Sequence, residues 1–215
     1  MPIRALTTFE DPIAKDVVQL GNIKFWEFAA FLETPSGKLL EFSTRRNSYG
    51  ADPSMDITSR TAPADRVVIH HNHLSQESLS FADWHGLTVF AKETFAHCAD
   101  GTVYWGKVAD EAAVTAKINN RGTAEIEATN LLFQILQAEI GGPDDAAIAF
   151  FFRKEVINRA MKIRTWVEYE FAWGTYPAPP PSSSGNGTQT WFAGKRGKAI
   201  CSLMDQAAAR LAPLL

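Results

Sequence analysis

The sequence has few of the features that mark several common protein classes. Its two cysteines, Cys98 and Cys201, lie far apart and form no C-x-x-C pair, which argues against a thiolate zinc site or a disulfide framework. The longest apolar run, residues 146–152, is too short to cross a bilayer, and the N-terminus has no apolar signal core. These absences predict a cytoplasmic protein with no membrane partner.

An excess of charge of either sign is also missing. The chain of 215 residues has 21 Lys and Arg against 24 Asp and Glu, a net charge of −3. This balance gives no electrostatic reason to expect a nucleic-acid partner. The motifs H-E-x-x-H and P-C-x-x-C are absent as well, which excludes a thermolysin-type zinc site and a zinc deaminase.

What the sequence does have is a cluster of histidines after an apolar run. Residues 67–69 are β-branched and apolar, which predicts a buried strand. Because side chains alternate along a strand, Ile69, His71 and His73 should share one face, with His70 on the other as a structural residue. Two imidazoles on one face at the end of a strand can converge on one metal ion.

A helix is predicted to begin shortly after this strand. Ser80 is a favourable N-cap, and Asp83 follows it by three positions. If the helix packs back towards the strand, the Asp83 carboxylate arrives beside His71 and His73. Two imidazoles, one carboxylate and a water molecule are the composition of a catalytic zinc site. The alternative is a pair of core histidines and an acid that only caps the helix.

The spacing of these residues resembles a known signature. His71-Asn72-His73 with Ser80 and Asp83 is similar to the H-x-H-P-x(6–7)-S-x-x-D pattern of the JAB/JAMM (MPN) metalloprotease superfamily, and is most similar to its RadC-like branch. Leu74 replaces the proline, and the loop before Ser80 is one residue shorter. Because proline stiffens the chain, its loss predicts a looser exit from the metal strand with no ligand removed.

The resemblance implies roles for these residues and for one more. His71, His73 and Asp83 would hold Zn²⁺, and Ser80 would help to bind the oxyanion of the tetrahedral intermediate. A further requirement of the superfamily is a glutamate that acts as general base and lies well before the first metal-binding histidine.

Glu27 matches that requirement better than Glu41. Glu27 precedes His71 by 44 positions, and the run Glu27 to Leu32 resembles the superfamily's E-x-x-G-x-L, with alanine in place of glycine. Glu27 is also a lone carboxylate in an otherwise apolar run, where it needs a partner or partial solvation. Glu41 is the competing residue, on a strand position that we expect to face solvent.

The resemblance also implies the fold and its divisions. We expect an α+β fold with a mixed sheet flanked by helices, in the cytidine-deaminase-like layering, and a mostly helical C-terminal extension. The metal-binding core would occupy residues 1–110, a helical extension with one strand 111–175, and a C-terminal helix 191–215. Residues 176–190 form a linker by their Pro, Ser and Gly content.

Within the core, the pattern predicts the local elements. A short helix over residues 13–20 should end at Gly21-Asn22, and hairpins should span residues 25–44 and 95–108. The helix that Ser80 begins should continue to Thr94. The segment 45–65, rich in Ser, Asp, Pro, Arg and Gly, should be a long loop near the site.

The function implied is a zinc-dependent peptidase or isopeptidase. It would hydrolyse an amide bond of a peptide or a ubiquitin-like protein conjugate by a metal-activated water, with a glutamate as general base. The alternative is a catalytically weak or inactive binding module of the same JAB/RadC-like fold, associated with DNA metabolism or mobile elements. The missing proline and the shorter loop favour that alternative.

Overall fold

A six-stranded mixed sheet forms the centre of the molecule. The computed structural model describes residues 2–48, 50–175 and 192–215. The spatial order of the strands is β2-β1-β3-β4-β5-β6. Strands β3 and β4 are parallel, and the other four neighbouring pairs are antiparallel. The strands are β1 Ala29–Leu32, β2 Leu39–Ser43, β3 Val67–Asn72, β4 Ala91–His97, β5 Val103–Val108 and β6 Val167–Ala172.

Helices cover both faces of this sheet. Helix α1 contacts β1, β3 and β4 on one face, whereas α3 and α6 contact the sheet on the other, with α5 and α8 packed against α6. The helices are α1 Glu10–Lys24, α2 Met55–Thr58, α3 Phe81–Val89, α4 Glu111–Asn119, α5 Arg121–Glu139, α6 Asp145–Ile163, α7 Gly197–Ala199 and α8 Cys201–Leu211. The expected α+β fold, a mixed sheet with helices on both sides, is confirmed.

Strand β3 is buried because it lies inside the sheet and is covered on both faces. It pairs with β1 on one side and β4 on the other, and all six of its residues are buried. Val68 packs into the apolar cluster beneath α1, and Ile69 packs into the larger cluster on the opposite face. This two-sided burial explains the continuous apolar run with which the strand begins.

Helix α1 is longer than the sequence pattern predicted. It continues through Gly21 and ends where Phe25 adopts a left-handed conformation with φ of 56°. Gly21 is buried, and a Cβ atom at this position would overlap the side-chain amide of Asn72. The glycine therefore permits close approach of α1 to the end of β3 and does not terminate the helix.

The helix that Ser80 begins is shorter than predicted. It ends at Val89, and residues expected to be helical up to Thr94 belong to β4. Ala91 and Thr94 pair in parallel with Val67 and Ile69 of β3. The pairing with a buried central strand outweighs the local helix propensity of this segment. The hairpin that follows, β4 to β5, turns at residues 99–101 as expected.

The C-terminal half completes the same sheet and core. β6 pairs with β5 along its length, and one apolar cluster includes Phe31, Trp84, Phe152 and Met204. The sheet and the core therefore continue across the boundary that we expected near residue 110.

In the part of the chain after residue 191, a π-helical turn over Phe192–Arg196 precedes α7 and α8, where one helix was expected. The predicted linker over 176–190 lies outside the described residues. Among the described residues, no helix is both long and apolar enough to cross a bilayer.

Candidate metal centre

The carboxyl end of β3 brings His71 and His73 together, as the strand alternation predicted. Their Nε2 atoms lie 2.9 Å apart, and both side chains are buried. Nδ1 of His71 lies 3.4 Å from the hydroxyl of Thr94 on the neighbouring strand. The Nε2 atoms of the two imidazoles thus lie close enough to bind one metal ion at the end of β3.

The start of α3 supplies the third group. Asp83 Oδ1 lies 3.1 Å from Nε2 of His71, and its Oδ2 lies 3.6 Å from Nε2 of His73. The potential ligand atoms of these three residues all lie within 4.8 Å of one another. This cluster could therefore hold a metal ion.

The N-cap of α3 fixes the Asp83 carboxylate. Oδ2 accepts hydrogen bonds from the backbone N–H of Ser80 at 2.6 Å and from its hydroxyl at 2.8 Å. Ser80 Oγ in turn accepts from the backbone N–H groups of Ala82 and Asp83, which completes a capping box. Because the cap occupies Oδ2, Oδ1 is the oxygen directed towards His71. Capping and metal ligation are thus compatible roles for Asp83.

A backbone carbonyl sets the tautomer of His73. Its Nδ1 lies 2.7 Å from the carbonyl oxygen of Glu77, which can only accept a hydrogen bond. Nδ1 therefore carries the proton, and Nε2 presents a lone pair to the cluster. A hydrogen bond of this kind on the far nitrogen is typical of metal-binding histidines.

The burial and close packing of these groups shift their pKa values. Burial and then the positive charge of His71 lower the pKa of His73 to about 4. Burial also opposes protonation of His71, but the Asp83 carboxylate and Glu27 outweigh it and raise the pKa of His71. Burial would raise the pKa of Asp83, yet the charge and hydrogen bond of His71 hold it below its usual range. The opposite shifts of His71 and Asp83 are those of two groups that stabilise each other's charged form, whereas the lowered pKa of His73 favours its neutral form.

Glu27 lies on the same cavity as the cluster. This cavity, about 1200 Å³ in volume, is lined by Glu27 together with His71, His73, Ser80 and Asp83. Burial, partly offset by the nearby His71 and reinforced by the negative charge of Asp83, raises the pKa of Glu27 to about 7. A carboxyl group with this pKa can exchange a proton near neutral pH.

Asn72, between the two histidines, holds the backbone on both sides of Glu27. Its Oδ1 accepts from the N–H of Phe28 at 2.7 Å, and its Nδ2 donates to the carbonyl of Trp26 at 3.1 Å. The N–H of Glu27 itself donates to the carbonyl of Asn47 at 2.8 Å. The segment that carries Glu27 is therefore fixed to β3 and to the loop that follows β2.

Glu41 has a different environment. It lies on β2 opposite Phe31, where its Oε1 accepts from the N–H of Ser54 at 2.9 Å, and it does not line the cavity. It is half-buried rather than fully solvent-facing. The structure therefore places Glu27, and not Glu41, beside the cluster.

The remaining histidines lie outside the cluster. His70 faces the opposite side of the sheet, as predicted, where its Nδ1 lies 3.0 Å from Nε2 of His97 and its Nε2 lies 3.4 Å from Glu10. His85 is exposed at the edge of the cavity and is not part of the three-residue cluster.

Glu77, in the loop between β3 and α3, is held by two cations of helix α6. Its side chain is buried, and its carboxylate accepts from Arg153 at 2.8 Å and from Lys154 at 2.6 Å, both on α6. Arg153 and Lys154 also line the cavity. Arg153 and Lys154 could not be identified from the sequence, because they lie more than 70 positions from Glu77. Two adjacent charged residues in a helix usually indicate a solvent-exposed face.

Other long-range contacts hold the rest of this loop. The hydroxyl of Tyr104 donates to the carbonyl of Gln76 at 3.0 Å, and Asn158 Nδ2 donates to Ser78 Oγ and to the carbonyl of Leu79, each at 2.9 Å. Residues 76–79 are buried. The loop between the metal strand and α3 is thus fixed by tertiary contacts, although it has no proline.

Comparison of the chain with protein-family models, with curated proteins and with solved structures finds no match. The likeness to the JAB/JAMM superfamily therefore rests on the residues of the signature alone.

Proposed function

We propose that this protein is a zinc-dependent peptidase or isopeptidase of the JAB/JAMM type, with that superfamily's layering around the sheet. One observation carries the proposal. His71, His73 and Asp83 converge within 4.8 Å on a cavity that also contains Glu27, a carboxyl group with its pKa raised to about 7. Metal-assisted amide hydrolysis requires a set of metal ligands and a carboxyl group that titrates near neutral pH, and both lie on this cavity.

The donor set fits zinc. Two imidazole nitrogens and one carboxylate oxygen are a common ligand set of catalytic zinc sites, whereas Mg²⁺ and Ca²⁺ prefer oxygen ligands. The proton of His73 is on Nδ1, so Nε2 is available, and the helix cap leaves Oδ1 of Asp83 available. Each of the three residues therefore offers one suitable atom.

The residues around the cluster have the functional groups that hydrolysis requires. Zn²⁺, when bound, lowers the pKa of a water molecule towards ~7 and polarises the scissile carbonyl. Glu27 accepts the proton of the attacking water and passes it to the leaving amine. Ser80, which lines the cavity, assists at the carbonyl oxygen after its hydroxyl turns from Asp83, to which it donates at 2.8 Å.

The size of the cavity supports a peptide or the tail of a ubiquitin-like conjugate as substrate. At about 1200 Å³ the cavity can hold several residues, and part of its wall comes from the segment after β2, including Arg45 and Asp52. The two free thiols, Cys98 and Cys201, support the further proposal of a reducing, cytoplasmic location.

Metal content and metal-dependent hydrolysis test this proposal. Protein purified without chelator should contain about one zinc per chain, His73→Ala should lose it, and His85→Ala, the exposed control, should retain it. A library of peptides and ubiquitin-like fusions should be cleaved by wild type, with activity lost to a chelator and restored by Zn²⁺. A wild-type protein that binds no zinc would contradict the proposal.

The alternative function is a binding module with the same fold. Leu74 and the short loop, which depart from the signature, are the observations that favour it. Zinc retained by wild type and lost in His73→Ala, with no cleavage of any library member, would support the module. If the protein then shifts the mobility of DNA in a gel at low salt, the module binds DNA. If it shifts no DNA, a role in DNA binding is excluded.

A further inference from the structure

We propose that Glu77, held by Arg153 and Lys154 of α6, is a positioning residue that orients His73 for metal binding. This inference rests on the proposed zinc site. It assigns to the C-terminal helices a direct effect on metal affinity.

Glu77 makes two different kinds of contact. Its backbone carbonyl accepts the Nδ1 proton of His73 at 2.7 Å. Its carboxylate, only 11% exposed, is shared between Arg153 Nη1 at 2.8 Å and Lys154 Nζ at 2.6 Å. One residue thus joins the ring of a metal-binding histidine to helix α6.

Arg153 is itself held in place by contacts other than Glu77. Arg153 Nε donates to Glu125 of α5 at 3.0 Å, and its guanidinium lies 4.0 Å from the centre of the Phe150 ring. Arg153 therefore has little freedom to follow a moving loop. A displacement of Glu77 would break both ion pairs, so the two helices restrict the position of its carbonyl.

Simple charge does not explain this arrangement. Two cations beside a site for a doubly charged metal ion repel that ion, and burying ion pairs costs desolvation free energy. If Lys154 acted only through its charge, its removal should tighten zinc binding. If Lys154 acts by holding Glu77, its removal should weaken zinc binding. The two explanations therefore predict opposite signs for the same substitution.

The experiment measures the zinc dissociation constant by competition with a chromophoric chelator. We expect Lys154→Met and Glu77→Gln to bind zinc ~10-fold more weakly than wild type, the lower end of the usual effect of residues that orient a metal-binding histidine. Lys154→Arg should restore most of the affinity. Lys162→Met is the matched control, because Lys162 lies on the same helix but pairs with Glu170 at 2.8 Å, away from the cavity.

Two further measurements separate positioning from a general loss of stability. In the Co²⁺-loaded protein, the visible absorption bands should shift in Lys154→Met and stay unchanged in Lys162→Met. In the metal-free protein, nitrogen NMR of the His73 ring should report a proton on Nδ1 in wild type and a mixture of tautomers in Glu77→Gln. A purely structural loss would lower the melting temperature without either change.

Each outcome is decisive. Unchanged or tighter zinc binding by Lys154→Met overturns the inference, as does equal weakening in Lys162→Met. Wild type that binds no zinc overturns the proposed function as well, whereas zinc-binding wild type with unaffected variants overturns the positioning role alone. If Glu77→Gln does not fold, Lys154→Met decides the question, because Lys154 is the more exposed partner at 19%.

Discussion

The position and the pKa of Glu27 depend on its neighbours, and Asn72 at the end of β3 is one of them. Asn72 fixes the backbone on both sides of Glu27, while burial raises the pKa of the Glu27 carboxyl to about 7. In water the same group would titrate near ~4.3. The fold therefore gives Glu27 a pKa near neutral pH, whereas the same side chain exposed to water would be an ordinary acid.

The first prediction concerns Glu27→Gln. We expect zinc content and fold to be kept and kcat/KM to fall by ~10²–10⁴, the usual share of general acid–base catalysis. Glu41→Gln is the matched control and should leave activity unchanged, because Glu41 lies off the cavity. Loss of activity only in Glu41→Gln would show that the other carboxylate is the base. The measurement is steady-state hydrolysis with metal content checked for each variant.

The same residue predicts a pH dependence of stability in the metal-free protein. Folding raises the pKa of Glu27 from the usual value for an unfolded chain to about 7, so its ionised form is disfavoured in the folded state. Wild type should therefore lose stability, relative to Glu27→Gln, as pH rises between ~4.3 and ~7, by up to about 3 kcal/mol. Urea unfolding at pH 4 and pH 8 checks this, and an equal difference at both values would contradict it.

Asn72→Ala should separate activity from metal binding. The substitution leaves the N–H of Phe28 and the carbonyl of Trp26 without their partner, which costs ~1–3 kcal/mol for each buried group left unpaired. Because Asn72 is not a ligand, zinc affinity should change little while turnover falls. Titration with zinc and a turnover assay on the same sample test this. Equal loss of both would mean that Asn72 supports the whole site.

At the scale of elements, the approach of α1 to β3 decides how the site is built. Gly21 is the contact point, and its missing side chain makes room for the Asn72 amide that holds the Glu27 segment. A longer side chain there would push α1 away from the strand. The position of α1 thus affects Asn72 and, through it, the position of the Glu27 carboxylate.

Gly21→Ala should destabilise the protein although alanine favours helices. The added methyl group would overlap the Asn72 amide, and we expect a loss of ~1–3 kcal/mol together with lower turnover. Gly122→Ala on α5 is the control, because no atom outside the adjoining helix backbone lies within 4 Å of the added carbon, and it should be neutral or slightly stabilising. Thermal unfolding of both variants tests the pair, and a stabilised Gly21→Ala would show that α1 can move at no cost.

At the scale of the whole molecule, the sheet and core are shared between both halves of the chain. β6 completes the sheet beside β5, and Asn158 and Tyr169 of the second half contact Ser78 in the loop between β3 and α3. We therefore expect a chain that ends after residue 110 to lack cooperative unfolding and to bind zinc poorly, since the loop loses its anchors and β5 becomes an edge. A cooperative transition in that fragment, followed by circular dichroism, would contradict this.

Zinc should stabilise the intact molecule in a pH-dependent way. A ligand that binds only the folded state raises the free energy of unfolding, so added Zn²⁺ should raise the melting temperature. Zinc that binds the proposed site would displace a proton from His71, whose pKa is raised by Asp83 against the effect of burial. The gain in melting temperature should therefore shrink as pH falls below the pKa of His71, and calorimetry from pH 8 to pH 5 measures it. A constant gain would indicate that the metal does not use this imidazole.

Strand β3, the common facing of His71 and His73, and the Ser80–Asp83 cap were predictable from the sequence, because strand alternation and helix capping act over a few residues. The sequence also indicated Glu27, a carboxylate in an apolar run. Three features could not be predicted in this way: residues 91–94 form a strand, Gly21 lies within a helix and Glu77 is buried. Each of these depends on partners far along the chain, on β3, on Asn72 and on Arg153 and Lys154, and local propensity contains no information about such contacts.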